Sequence, residues 1–211
     1  YPRPHKFETD MKKQVIAATL LCTVLSGAAF AQQSKEGPWM VRARAVNMAI
    51  SNTDNTGLGL SINDKWIPEV DISYFLSKNL AVELILTVPQ SHDLSSSKLG
   101  KQIGTVDHLP PTLLVQYHFD NNGGIKPYVG AGVNYTLFTT SDILSGAASI
   151  DKSSWGGALQ VGVDIPLGGN LFLNFDLKKV YIKTNVYVGA VNQGTFAVDP
   201  VLFGMGLGWR F

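Results

Sequence analysis

The sequence predicts an all-β chain, an eight-stranded antiparallel transmembrane β-barrel with long external loops and short periplasmic turns. Three observations lead there. Bulky apolar residues alternate with small or charged ones at period two through eight segments of spanning length. The connections between those segments are long and short by turns. Charged residues are only 16% of the chain, against roughly a quarter in soluble domains, yet no run approaches the ~20 apolar residues of a spanning helix.

The final stretch, residues 199–211, sets the pattern. Val201, Phe203, Met205, Leu207, Trp209 and Phe211 share one parity; Leu202, Gly204, Gly206, Gly208 and Arg210 share the other. Glycines cannot solvate a surface, but they leave room in a narrow tube. Phe203, Trp209 and Phe211 are therefore expected on the strand that closes the barrel, the last two in the interfacial girdle.

At the front, residues 1–10 hold no periodicity and read as an upstream segment outside the fold. Residues 11–31 read as a secretory signal: Met11-Lys12-Lys13, an apolar run over 15–25, and Ala29-Phe30-Ala31 at the cleavage site. The barrel is then expected over 32–211, 180 residues with 13 basic and 14 acidic groups. That balance offers no electrostatic footprint for nucleic acid. Cys22, the one cysteine, falls inside the signal, so no disulfide or thiolate site is expected.

The strands follow in order. Over 39–46, Arg42 and Arg44 share a face; each would cost roughly 2–4 kcal/mol in lipid at the midplane, so both are predicted to point inward. Residues 47–65 read as a long loop with an apolar strip of Leu58, Leu60 and Ile62. Residues 66–76 and 80–88 form a hairpin around Ser77-Lys78-Asn79, with Glu69, Asp71 and Glu83 inside. A second long loop, 89–110, leads to strands at 112–119 and 128–138. A third, 139–154, has a candidate short helix starting at Ser141 or Asp142. Strands at 155–165 and 171–178 place Asp164, Asp176 and Lys178 inward. Past Lys179 the apolar residues Val180 and Ile182 change parity, which predicts a bulge or membrane exit. A fourth long segment, 184–198, precedes the last strand. A soluble eight-stranded barrel would invert these faces, apolar inside and polar outside.

Several blocks together resemble the OmpW family of small outer-membrane proteins. They are Pro68-Glu69-Val70-Asp71-Ile72-Ser73-Tyr74-Phe75, Asn79-Leu80-Ala81-Val82-Glu83-Leu84, His92-Asp93, Leu109-Pro110-Pro111-Thr112, Gln116-Tyr117-His118-Phe119, and the run from Lys126-Pro127-Tyr128 to Asn134-Tyr135. The resemblance implies an eight-stranded barrel of the Gram-negative outer membrane, associated with uptake of small hydrophobic compounds.

Two sets of residues are singled out. Arg42, Arg44, Lys178 and Arg210 with Glu69, Asp71, Glu83, Asp164 and Asp176 are expected to pair inside the tube and plug it. Leu58, Leu60, Ile62, Leu94, Leu99, Ile143, Leu144 and Trp155 are expected to line an external funnel for a small hydrophobic solute. Such a solute would leave sideways into outer-membrane lipid, where Pro68, Pro89, Pro110 and Pro111 interrupt the ladder near the rim. The same apolar residues would equally pack the loops together. A receptor for adhesion, phage or bacteriocin, and a lipid-modifying enzyme, are the alternatives to transport. The enzyme reading meets an obstacle, because adjacent His92-Asp93 and Asp107-His108 point opposite ways in an extended chain. Within the expected barrel, His92, His108 and His118 on separate elements are no metal signature, and no cofactor is expected. The expected partners are the solute, membrane lipid and, through the C-terminal strand, the barrel-assembly machinery.

Overall fold

A computed structural model describes residues 36–119 and 124–211. The upstream segment, the signal and Cys22 lie outside the described residues. So do residues 120–123 of the turn after Phe119.

Eight antiparallel strands close a barrel. They are β1 (Trp39–Ala49), β4 (Lys65–Phe75), β5 (Leu80–Thr87), β8 (Thr112–His118), β9 (Lys126–Ile143), β11 (Ser153–Gly168), β12 (Leu171–Val180) and β15 (Val201–Arg210), each paired with the next. The seam is β1 against β15, in continuous register from Met40↔Arg210 to Ala49↔Val201. The predicted parity holds throughout. Val129, Val133, Leu159, Val161, Met205 and Leu207 are exposed outward, while Arg42, Glu83, Asn134, Asp164 and Asn174 are buried. Outward aromatics gather toward the two ends: Trp39, Tyr74, Tyr117 and Phe211 beside the short turns, Trp66, Tyr181 and Trp155 opposite.

Inner glycines make the tube fillable. A Cβ on Gly162 would overlap the Tyr128 ring, and one on Gly206 would strike the Ala43 carbonyl of the neighbouring strand.

The long connections are not loops. They fold into seven short strands: β2 (Thr53–Asp54), β3 (Leu60–Ile62), β6 (Gln90–Ser96), β7 (Lys101–Leu109), β10 (Ala148–Ile150), β13 (Lys183–Val188) and β14 (Val191–Ala197). These pair in the order β3-β6-β7-β9-β10-β13-β14-β2, with β9 running through from the barrel. The wall thus continues past the membrane as a crown. The helix expected at 141–144 is instead the end of β9, followed by a 3-10 turn at Leu144–Gly146 with Leu144 at φ +51°. The bulge expected past Lys179 is also corrected. Val180 is buried and pairs with Ala158 in unbroken register, and Ile182 is buried with it. What changes there is the chemistry of the inner face, from charged to apolar, while its parity runs on.

Candidate functional site

The interior is layered. Nearest the short turns, Met40, Phe75, Ala81 and Phe172 form a small apolar floor. Arg210 stands at this rim. It is half-buried, with its guanidinium 3.7 Å from the Phe75 ring centroid and its Nη1 2.8 Å from Glu36. The expectation that it belongs to the central charge network is corrected accordingly. The last residue of a strand lies at the tube's mouth, within reach of Glu36 and water.

Above the floor is the plug. Arg42 holds Asp164 with two parallel hydrogen bonds, Nε–Oδ1 at 3.2 Å and Nη2–Oδ2 at 2.8 Å, and donates to Asp71 at 3.0 Å and Ser73 at 2.9 Å. Arg44 pairs with Asp71, with Glu83 at 3.2 Å and with Asp176 at 3.3 Å. Its Nε approaches Glu69 at 3.0 Å without hydrogen-bond alignment. Lys178 bridges Glu69 at 2.6 Å and Asp176 at 3.0 Å. Gln160 ties Glu83 (2.9 Å) to Asp176 (2.8 Å), and the Tyr128 hydroxyl donates to Asp176 at 2.9 Å. All of these side chains are buried. Charges taken out of water persist only when paired and hydrogen-bonded, and such a cross-braced set fills the bore.

Above the plug the bore turns apolar. Val46, Met48, Ile67, Ile85, Leu114, Val180, Ile182 and Leu202 pack together, and six of them (Met48, Ile67, Ile85, Val180, Ile182 and Leu202) line a space of about 370 Å³, its openings included, that Glu69 and Lys178 of the plug also border. Higher still, the crown surrounds a chamber of about 690 Å³, its open mouth included. Ile182 lines both spaces. The chamber wall comes from β3, β6, β7, β9, β10, β13 and β14, and its surface is apolar.

Six of the eight residues expected at the funnel meet on this wall: Leu58, Leu60, Ile62, Leu94, Ile143 and Leu144. Leu99 and Trp155 do not. Leu99 sits at the tip of the β6–β7 hairpin and is 51% exposed. Trp155 occupies the outward parity of β11, is 68% exposed and packs on Tyr135 with ring centroids 4.6 Å apart. Its period-two position put it on the lipid side. The expectation missed His92, Ile103, Val106, His108, Phe138, Val186 and Phe196, all of which line the chamber. Alternation does not single them out, because polar and apolar residues mix on the inner face of β6 and register shifts interrupt β6, β7 and β9.

The two histidines converge on one spot. His92 and His108 stack with centroids 5.0 Å apart and planes at 27°, while Asp93 turns away to accept from Gln102 at 2.7 Å. Burial chiefly, with Lys65 adding to it, pushes both imidazoles below their ordinary pKa, His108 to about 4.

The wall beside the lower space is discontinuous. The β5–β8 ladder stops at Ile85↔Thr112, although β5 runs on to Thr87 against β4. Next in line is Pro110, which has no N–H to give. Its carbonyl accepts instead from Asn134 Nδ2 at 3.3 Å and Thr112 Oγ1 at 3.2 Å. Ile85, Thr87, Pro110 and Thr112, on the two sides of this break, all line the 370 Å³ space.

Comparison with known proteins gives a consistent picture. The OmpW family model matches residues 33–211. An uncharacterized outer-membrane protein of Sinorhizobium fredii is 37% identical over 82% of this chain and 80% of its own. Outer membrane protein W of Escherichia coli is 33% identical over 95% of this chain and 100% of its own. Among solved structures, the outer-membrane protein AlkL in lipid bilayers superposes with a TM-score of 0.66 at 28% identity, covering 87% of this chain and 94% of that one. The family and its structural neighbours are outer-membrane barrel proteins, not enzymes, and the chain is accordingly an outer-membrane barrel of a Gram-negative bacterium.

Proposed function

The chain belongs to the OmpW family, and from that premise we propose that it carries small hydrophobic molecules from the external face into the membrane. The observation that supports this reading best is the order of the layers: an apolar chamber open outward, a second apolar space below it, and a charged plug beneath both. An apolar solute is stable in the first two. In the third it would displace paired charges that have no other partners. The way on is then sideways, through the break between β5 and β8 where Pro110 ends the ladder. The solute would leave at bilayer height and dissolve among acyl chains. We assign the C-terminal strand, ending in Trp209, Arg210 and Phe211, to recognition by the barrel-assembly machinery, since it supplies one side of the seam.

Uptake of a fluorescent apolar probe by cells dependent on this barrel tests the proposal. Leu60→Asp and Leu94→Asp place a charge in the chamber and should reduce uptake to background. Pro110→Val returns the missing N–H and should slow uptake while leaving probe binding to the purified barrel intact. Uptake unchanged in all three variants rejects the reading.

A further inference from the structure

We propose that the β11–β12 flank of the barrel binds a phosphorylated glycolipid of the outer leaflet. Lys179 and Lys183 hold its phosphates, and its sugars lie against Trp155 and Tyr181.

Strand length sets the height of these residues. β12 runs from Leu171 to Val180, so it uses up the ~9–11 residues of a span just as it reaches Lys179 and Tyr181. Register sets their facing. Lys179 pairs with Leu159 and Val201, both outward. Tyr181 and Lys183 continue that parity and are exposed, while Val180, Ile182 and Thr184 between and beside them are buried. The Tyr181 amide donates to the Gly157 carbonyl at 2.9 Å, and the Lys183 amide to Ser154 Oγ at 3.3 Å, next to Trp155. A Cβ on Gly157 would stand 3.9 Å from the Tyr181 ring, so that ring lies beside the outer face of β11.

A side chain at this parity and height meets lipid, and a cation there is tolerated only where it reaches headgroups. Lys179 reaches that way. Its Nζ donates to the main-chain oxygen of Asp199, beyond the outer end of β15, and lies 5.9 Å from the Tyr181 ring centroid. Two of its three N–H groups are left over. Among the described residues neither lysine forms an ion pair. The nearby acids are engaged elsewhere. Asp151 accepts from the Asn185 amide at 3.0 Å, Asn185 Nδ2 at 2.9 Å and the Tyr187 hydroxyl at 3.2 Å, and Asp199 Oδ1 from the Ile182 amide at 3.0 Å.

The other flank differs. At the external end of β4, β5 and β8 the outward residues are Trp66, Pro68, Leu86, Val88 and Leu113, and Lys65 turns to the Ser91 carbonyl. The cations are thus confined to one side, three strand junctions away from the break between β5 and β8. Ammonium groups match phosphate, and the exposed rings beside them extend the match to the sugar that carries it.

The purified full-length barrel, titrated in detergent and read by native mass spectrometry, tests this. The probes are diphosphoryl lipid A, the same lipid with both phosphates removed, and phosphatidylglycerol. Diphosphoryl lipid A should bind about 5- to 30-fold more tightly than the dephosphorylated form, the span of one to two lysine–phosphate contacts, and about 5-fold more tightly than phosphatidylglycerol. Lys179→Gln with Lys183→Gln should remove that advantage, and Lys179→Arg with Lys183→Arg should keep it. Lys98→Gln with Lys101→Gln, at the β6–β7 hairpin above the girdle, should change nothing. In the wild-type barrel alone, equal binding of the two lipid A forms, or of lipid A and phosphatidylglycerol, overturns the proposal however the variants fold. Unchanged binding in the Lys179 and Lys183 glutamine variant, or an equal loss in the hairpin variant, also overturns it.

Discussion

Gly162 on β11 leaves the space that the Tyr128 ring of β9 occupies, and Tyr128 uses it to reach over the glycine to Asp176 on β12 at 2.9 Å. A glycine and an aromatic on neighbouring strands thus jointly fix one brace of the plug. Gly162→Val should cost about 1–3 kcal/mol by overpacking, read as a lower urea midpoint for unfolding from lipid vesicles. Gly157→Ala, where a Cβ would meet nothing nearer than 3.9 Å on the outer face, should leave the midpoint unchanged.

Asp164 is the two-pronged partner of Arg42, and its removal strands a buried guanidinium. Asp164→Ala should destabilise the barrel by about 3–5 kcal/mol. Exchanging both partners for apolar residues of similar volume (Arg42→Met with Asp164→Leu) should cost clearly less. A cycle in which the two losses simply add would show that the pair is not coupled.

Current and solute should take separate routes. In planar bilayers the wild-type barrel should conduct ions poorly, because the plug fills the bore. Arg44→Ala with Glu83→Gln removes crossing members of the network and should raise conductance several-fold, yet leave apolar probe uptake as it was. Parallel changes in both would place the solute path through the plug.

Acid should loosen the crown. Unfolded imidazoles take up protons around pH ~6.5, whereas the folded His108 does so only near about 4, and His92 is shifted the same way. Protons bound by the unfolded chain alone lower stability, so the crown should weaken as pH falls from ~6.5 to about 4 and level off below that. Above ~6.5 the contribution is complete. The flanking Lys65 opposes protonation, while Asp93 and Asp107 favour it without reversing the sign. Amide exchange in β6 and β7, corrected for intrinsic rates, should be faster at pH 4.5 than at pH 7.5. A flat profile would mean that neither ring is held neutral by its surroundings.

Trp155 should matter for anchoring and not for passage. Trp155→Ala should leave probe uptake at the wild-type level and modestly weaken stability in the bilayer, since the side chain is an outward girdle aromatic packed on Tyr135. A large loss of uptake would return it to the solute path.

The barrel was legible because period two does not drift: once Arg42 is placed inside, every second residue of β1 and its partners is placed too. The charge network could be read for the same reason, since a buried charge on a spanning strand has only one way to face. The crown was hidden by its composition and by its bulges. On β6 the inward residues are Gln90, His92, Leu94 and Ser96, a mixed set in which alternation of hydrophobicity disappears. Register shifts at Leu94/Ser95 and Asp107/His108 then break the phase. The slip inferred past Lys179 has a related cause. Hydropathy was used as a proxy for facing, and there the inner face itself becomes greasy at Val180 and Ile182.

β9 runs 18 residues and β11 16, against the ~9–11 that a spanning strand needs, so the wall stands about 20 Å clear of the hydrocarbon. On the proposed route, a molecule entering at that height would shed its water inside protein, before it meets any lipid. Dehydration and partition, a single event at a bare membrane surface, become two steps at two places. The rate of the first is then set by side chains the cell can alter without touching its bilayer.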